Sequence, residues 1–140
     1  MKIICCLYLL PGAIWDIRTR YLPGVYIWCG FLCMGVLGLF QLIVKERVPG
    51  DILISMLPGS LAYLFAKSSK NLGEGDAWLI LILGCVLSFY DLIMVLLSSL
   101  FLSAIGSIFY LICKRGIKNM KIPFVPFLFL GSMFVLLGDI

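Results

Sequence analysis

Histidine is absent from all 140 residues. That removes the usual neutral-pH base and the commonest zinc ligand, and with them the Ser-His and Cys-His nucleophile systems and most catalytic metal sites. Charge is also scarce: Asp, Glu, Lys and Arg make up 13% of the chain, and only 7 of these residues are acidic. The 6 cysteines include no Cys-x-x-Cys pair, and no internal repeat or low-complexity tract interrupts the sequence. Cys29 and Cys33 share one helix face at i, i+4, a spacing open to a soft metal, a cross-link or plain packing, and their apolar surroundings favour packing. Any enzyme built on this chain must run on carboxylates.

What is plentiful is apolar: 63% of residues are hydrophobic, and mean hydropathy is +1.15. A helix needs about 20 residues to cross a hydrocarbon core of roughly 30 Å, so the length predicts about six spans in one all-helical membrane domain covering 1–140. The expected spans are residues 3–16, interrupted by Pro11-Gly12, then 24–43 and 52–66. Two more come from the run Ala77–Cys113, cut at Ser88-Phe89-Tyr90-Asp91, and the last is 124–138. The first segment is expected to stay in the protein, because Asp16-Ile17-Arg18 stands where a leader cleavage site would fall. The net charge of +4 comes in short clusters between apolar runs, the pattern of membrane orientation and not of nucleic-acid binding.

Sidedness follows from counting cations. Arg18, Arg20, Lys67, Lys70, Lys114, Arg115, Lys118 and Lys121 fall on one side, and Lys2, Lys45 and Arg47 on the other, eight against three. The positive-inside rule then puts the first side in the cytoplasm of a multi-pass cell-membrane protein, with both termini outside.

Asp16 closes the first span and Asp76 opens the fourth, so both acids are expected at one depth on the cytoplasmic side. An ionisable group at the edge of hydrocarbon costs several kcal/mol unless hydrated, paired or protonated, which makes each a candidate for function. Aspartic proteolysis is a chemistry that needs two carboxylates and no cofactor or metal: one deprotonates a water, the other donates to the scissile carbonyl, and the two share a proton. Helix dipoles predict that Asp76, at a helix N-terminus, ionises before Asp16, at a C-terminus. Gly73 and Gly75, on either side of Glu74, offer positive φ and close backbone approach beside Asp76. Glu74 is read either as a solvated loop residue or as a contact for a basic substrate. Asp91 is read as a solvated turn residue, and Trp28, Trp78, Phe124 and Phe127 as interfacial anchors.

Three stretches together resemble the type IV prepilin peptidases, intramembrane aspartic proteases with a Gly-x-Gly-Asp motif. They are Asp16-Ile-Arg-Thr-Arg-Tyr-Leu-Pro23, Gly73-Glu-Gly-Asp76 and Lys121-Ile-Pro-Phe-Val-Pro-Phe127, the last including Pro123. The resemblance implies that Asp16 and Asp76 form the catalytic pair. It also implies that prepilin or pseudopilin-like precursors lose a short basic leader at the cytoplasmic face, usually after a glycine. Gly24 stands where the family often has asparagine, and Trp78 where a lysine is frequent. The larger members carry an insertion with Cys-x-x-Cys motifs and N-methylate the trimmed product; without it, this chain is expected to be a peptidase only. Two rival readings are a carboxylate-dependent ion or proton-coupled transporter and an inactive assembly scaffold. Transporters usually show internal repeats and mid-membrane coupling groups, which this chain lacks.

Overall fold

The computed structural model describes residues 2–19, 22–45, 47–69, 73–113 and 124–138. Arg20, Lys70, Lys114, Arg115, Lys118, Lys121 and Pro123 lie outside the described residues. The described chain is all-helical: α1 Lys2–Thr19, α2 Gly24–Ile43, α3 Pro49–Ser69, α4 Glu74–Gly84, α5 Phe89–Cys113 and α6 Val125–Gly138. In a solvent without hydrogen-bonding partners, a helix is the way for a single segment to satisfy its own backbone.

Three of these helices, α2, α3 and α5, are long and apolar enough to cross a membrane. Of the other three, α1 has 18 residues, more than the segment expected at 3–16, and two are short. The α4 helix has 11 residues and α6 has 14, lengths of about 16 and 21 Å at 1.5 Å per residue. The α1 helix runs unbroken through Pro11, contrary to the interruption expected there. Proline removes one backbone bond, and in an apolar medium the remaining helical bonds still outweigh that loss.

Side-chain contacts show that neighbouring helices alternate in direction. Gly59 lies against Leu81 and Gly84 against Ser55, which makes α3 and α4 antiparallel. Cys6 meets Ser132 while Asp16 meets Val125, so α1 and α6 are antiparallel, and Gly131 packs on Val95 to Ser99 of α5. Where apolar side chains gain nothing by leaving lipid, such small residues let backbones pack closely. The stacked rings of Tyr8 and Tyr26, with centroids 4.8 Å apart, join α1 to α2. Each hydroxyl donates to the other residue's carbonyl.

The centre of the bundle is α4. Ala77, Leu79, Ile80, Ile82 and Leu83 are all buried, and a helix apolar on every side belongs in an interior. Leu9, Met34, Leu92, Val95, Val125 and Leu128 enclose it from the other helices. Cys5, Cys6 and Cys85 pack inside, whereas Cys29 and Cys33 are exposed on α2, outside the core in which they were expected. The outer faces of α2, α3 and α5 are apolar and exposed, as a lipid-facing surface is.

Two rims of charge bound the bundle. Lys2, Arg47 and Asp91 line one end, and Arg18 and Lys67, in the last turns of α1 and α3, mark the other. From Lys2 to Arg18, and again from Asp51 to Lys67, is sixteen residue steps. At 1.5 Å each, both give a rim-to-rim distance of about 24 Å.

Candidate functional site

Asp16 lies in the last turn of α1 and is 7% exposed. Its Oδ2 accepts the amide N–H of Val125 at 3.2 Å. Val125 is the first residue of α6, and its N–H is one of the four that a helix start leaves without an internal partner. A carboxylate there satisfies that donor and meets the positive end of α6. Asp16 therefore ties the end of α1 to the beginning of α6 across 109 residues.

Asp76 occupies the first turn of α4, where its own N–H donates to the Gly73 carbonyl at 3.1 Å. Its carboxylate curls back over Gly73: a Cβ there would lie 3.0 Å from Oδ2. Asp16 thus faces the N-terminus of α6 while it also closes α1, and this second helix end opposes the dipole contrast expected from chain positions alone. The two acids stand on separate helices at the same end of the bundle, Asp16 in the last turn of α1 and Asp76 in the first turn of α4.

The glycines matter for space and not for handedness. Gly73 has φ −66° and ψ 126°, an extended conformation, and Gly75 is helical, so the expected positive φ is not used at either. A Cβ on Gly75 would sit 3.2 Å from Leu22 Cδ1, which brings the α1–α2 connection against the start of α4. Pro23 caps α2, its carbonyl accepting the N–H of Tyr26 at 2.9 Å. Glu74 is exposed at the mouth of this region, and Trp78 packs a tilted ring on Tyr63 at 5.2 Å. Pro123, the remaining predicted site residue, is outside the described residues.

Asp91 is elsewhere. It pairs with Lys2 at 2.8 Å and accepts the Ser88 hydroxyl at 2.7 Å, while the Asp91 N–H donates back to that hydroxyl at 3.2 Å. This is a reciprocal cap on α5, at the rim opposite Asp16. Among the described residues, no three of His, Cys, Asp and Glu gather where they would hold a metal ion.

Sequence reasoning missed the Val125 amide as a partner for Asp16 and Leu22 as the neighbour of Gly75. A signal for the first was present, since a helix entry rich in proline leaves free N–H groups that an acid can take.

Comparison with known proteins places residues 3–110, and so both aspartates, within a match to the type IV leader peptidase family. No curated protein and no solved structure matches the chain.

Proposed function

This chain belongs to the type IV leader peptidase family, and from that premise we propose that Asp16 and Asp76 are the catalytic pair of a membrane-embedded aspartic endopeptidase. Its substrates are prepilin or pseudopilin-like precursors, from which it removes the short basic leader at the cytoplasmic face of the cell membrane. One observation carries this reading: the carboxylates of Asp16, in the last turn of α1, and Asp76, in the first turn of α4, stand at the same end of an otherwise apolar bundle.

Two such groups cannot both ionise cheaply, so they hold one proton between them and titrate as a unit. The ionised member takes a proton from a water, and the resulting hydroxide adds to the scissile carbonyl carbon. The protonated member donates to the carbonyl oxygen as it gains charge. Collapse of the tetrahedral intermediate breaks the C–N bond, with a proton passing to the leaving nitrogen. The substrate's apolar helix lies among the spans while its basic leader stays in water beside exposed Glu74. The work is hydrolysis alone: no paired-cysteine motif is present for the methylation that larger relatives perform.

The test is cleavage of a prepilin-like precursor co-expressed with Asp16→Asn or Asp76→Asn. Asparagine at 16 keeps a side-chain oxygen for the Val125 N–H, so the fold is maintained while the ionisable group is lost. Both variants are expected to enter the membrane and leave the leader attached. Cleavage retained by either one excludes the pair as assigned.

A further inference from the structure

At the rim opposite the aspartates, a cavity of about 450 Å³ opens between α1, α2, the α4–α5 turn and α6. Its volume falls in the range of small-ligand sites, about 300–1,000 Å³. Its polar wall is Lys2, Gln41, Arg47, Ser88 and Asp91. Ile3, which is 63% exposed on α1, forms part of the apolar wall, so the cavity reaches the outside of the bundle.

Gln41 is the telling residue. It is 4% exposed, its Nε2 donates to the Val86 carbonyl at 3.4 Å, and its Oε1 has no hydrogen-bond partner. Turning the amide over would aim one oxygen at another, so Oε1 is the atom left needing a donor. A buried acceptor without a donor is costly. The Asp91 carboxylate is taken by Lys2 and Ser88, and among the described residues Arg47 has no carboxylate in an ion pair with it. Arg47 donates through Nη1 to Val86 and through Nη2 to the Asp51 carbonyl and Ser55 Oγ. A guanidinium has five N–H groups, so two remain for an acceptor.

We propose that this cavity binds a phosphate monoanion that also carries a hydroxyl group, as in a phosphatidylglycerol headgroup: the phosphate accepts from Arg47 and the hydroxyl donates to Gln41 Oε1. Such an occupant supplies in one molecule the negative charge and the donor that the wall lacks. The position, at one end of a membrane bundle, is where lipid headgroups lie. Ile3 and Leu136 give its carbon stem an apolar surface.

The experiment uses the purified full chain in detergent, titrated separately with phosphatidylglycerol, phosphatidylcholine and sn-glycerol 3-phosphate, with bound molecules counted by native mass spectrometry. Wild type is expected to retain one phosphatidylglycerol. Gln41→Leu weakens retention about tenfold by removing one hydrogen bond. Gln41→Glu, which sets a carboxylate against the phosphate, and Leu136→Trp, which fills the space, abolish it. Saturable binding of glycerol phosphate with the same sensitivity to Gln41→Glu supports the site and identifies a soluble anion as its occupant. Equal retention of phosphatidylcholine, or phosphatidylglycerol binding unchanged in all three variants, overturns the proposal and leaves water as the partner of Gln41.

Discussion

Placing a methyl group on Gly84 or Gly59 should damage activity as well as stability. A Cβ at Gly84 would lie 2.5 Å from the Ser55 carbonyl oxygen and 3.3 Å from Met56 Cα. One at Gly59 would lie 2.5 Å from Leu81 Cα and 2.6 Å from Leu81 N. In both cases the obstacle is backbone, so no side chain can swing aside. Ordinary contact begins at 3.4 Å, and 3.4 − 2.5 requires α3 and α4 to part by about 0.9 Å, a displacement that close packing carries along a rigid helix. Overpacking of this kind costs about 1–3 kcal/mol. Asp76 is eight residues from Gly84 on the same helix, about 12 Å away, and moves with it. Asp16, held by Val125 on the other side of the site, does not.

A relative misplacement near 1 Å costs about a hundredfold in rate when the displaced group does the chemistry. The assay is leader removal from a prepilin-like precursor in detergent, with kcat separated from KM and thermal unfolding followed in parallel. Gly84→Ala and Gly59→Ala should each lower kcat by about two orders of magnitude while the protein still unfolds in one transition. Gly35→Ala, where a new Cβ meets nothing within 4 Å, serves as the control and should match wild type in both measurements. Wild-type kcat in Gly84→Ala together with a lowered unfolding temperature would refute the reasoning, because α4 would then move without carrying Asp76 out of place.

Other outcomes follow from the same contacts. The pH–rate profile should be bell-shaped, since the proposed pair needs one proton and two limbs; a single sigmoid in kcat/KM would contradict a shared proton. Tyr26→Phe and Tyr8→Phe each delete one of the two hydrogen bonds between α1 and α2 and should cost about 1 kcal/mol apiece in thermal or denaturant unfolding, with the ring stack retained. Lys2→Ala should lose no more than about 1 kcal/mol, because its pair with Asp91 is partly exposed and such pairs are weak. Leader cleavage, performed at the other rim, should continue in that variant.

Much of the fold was legible because hydrophobic length is a strong local signal. The span expected at 24–43 coincides with α2, and 52–66 lies inside α3. The end of α4 was not legible. It stops at Gly84 with a turn through Leu87, short of the polar break at Ser88, because the chain there is held by Gln41 and Arg47 bonding the Val86 carbonyl. Those partners are 45 and 39 residues distant, beyond the reach of any window along the chain. Asp91 shows the same limit: its place in the polar break between two apolar runs was readable, while its ion pair with Lys2 spans 89 residues. At the candidate site, the motif Gly73-Glu-Gly-Asp76 announced a close approach but not its cause. The glycines are small because Asp76 and Leu22 need the volume, and the backbone remains in ordinary conformations.

The two charged rims also bear on how such a pair obtains water. A separation of about 24 Å is less than the roughly 30 Å of a bilayer core, so lipid around the bundle must thin, or long cationic side chains must reach outward to the headgroups. Asp16 precedes Arg18 by two residues, and the antiparallel register that sets Gly59 beside Leu81 and Tyr63 beside Trp78 puts Asp76 level with Phe65, two residues before Lys67. Each acid is thus about 3 Å inside the cationic rim. A carboxylate at mid-depth would need a channel for water and would cut within the apolar helix of its substrate. On the proposed reading, a pair at this depth lies close to bulk water, and a precursor helix buried up to its first apolar residue would present to it the bond between leader and helix. The shortness of α4 makes this possible: an 11-residue helix, followed by a turn that Gln41 and Arg47 hold at the Val86 carbonyl, starts near the cationic rim, and its first turn carries Asp76.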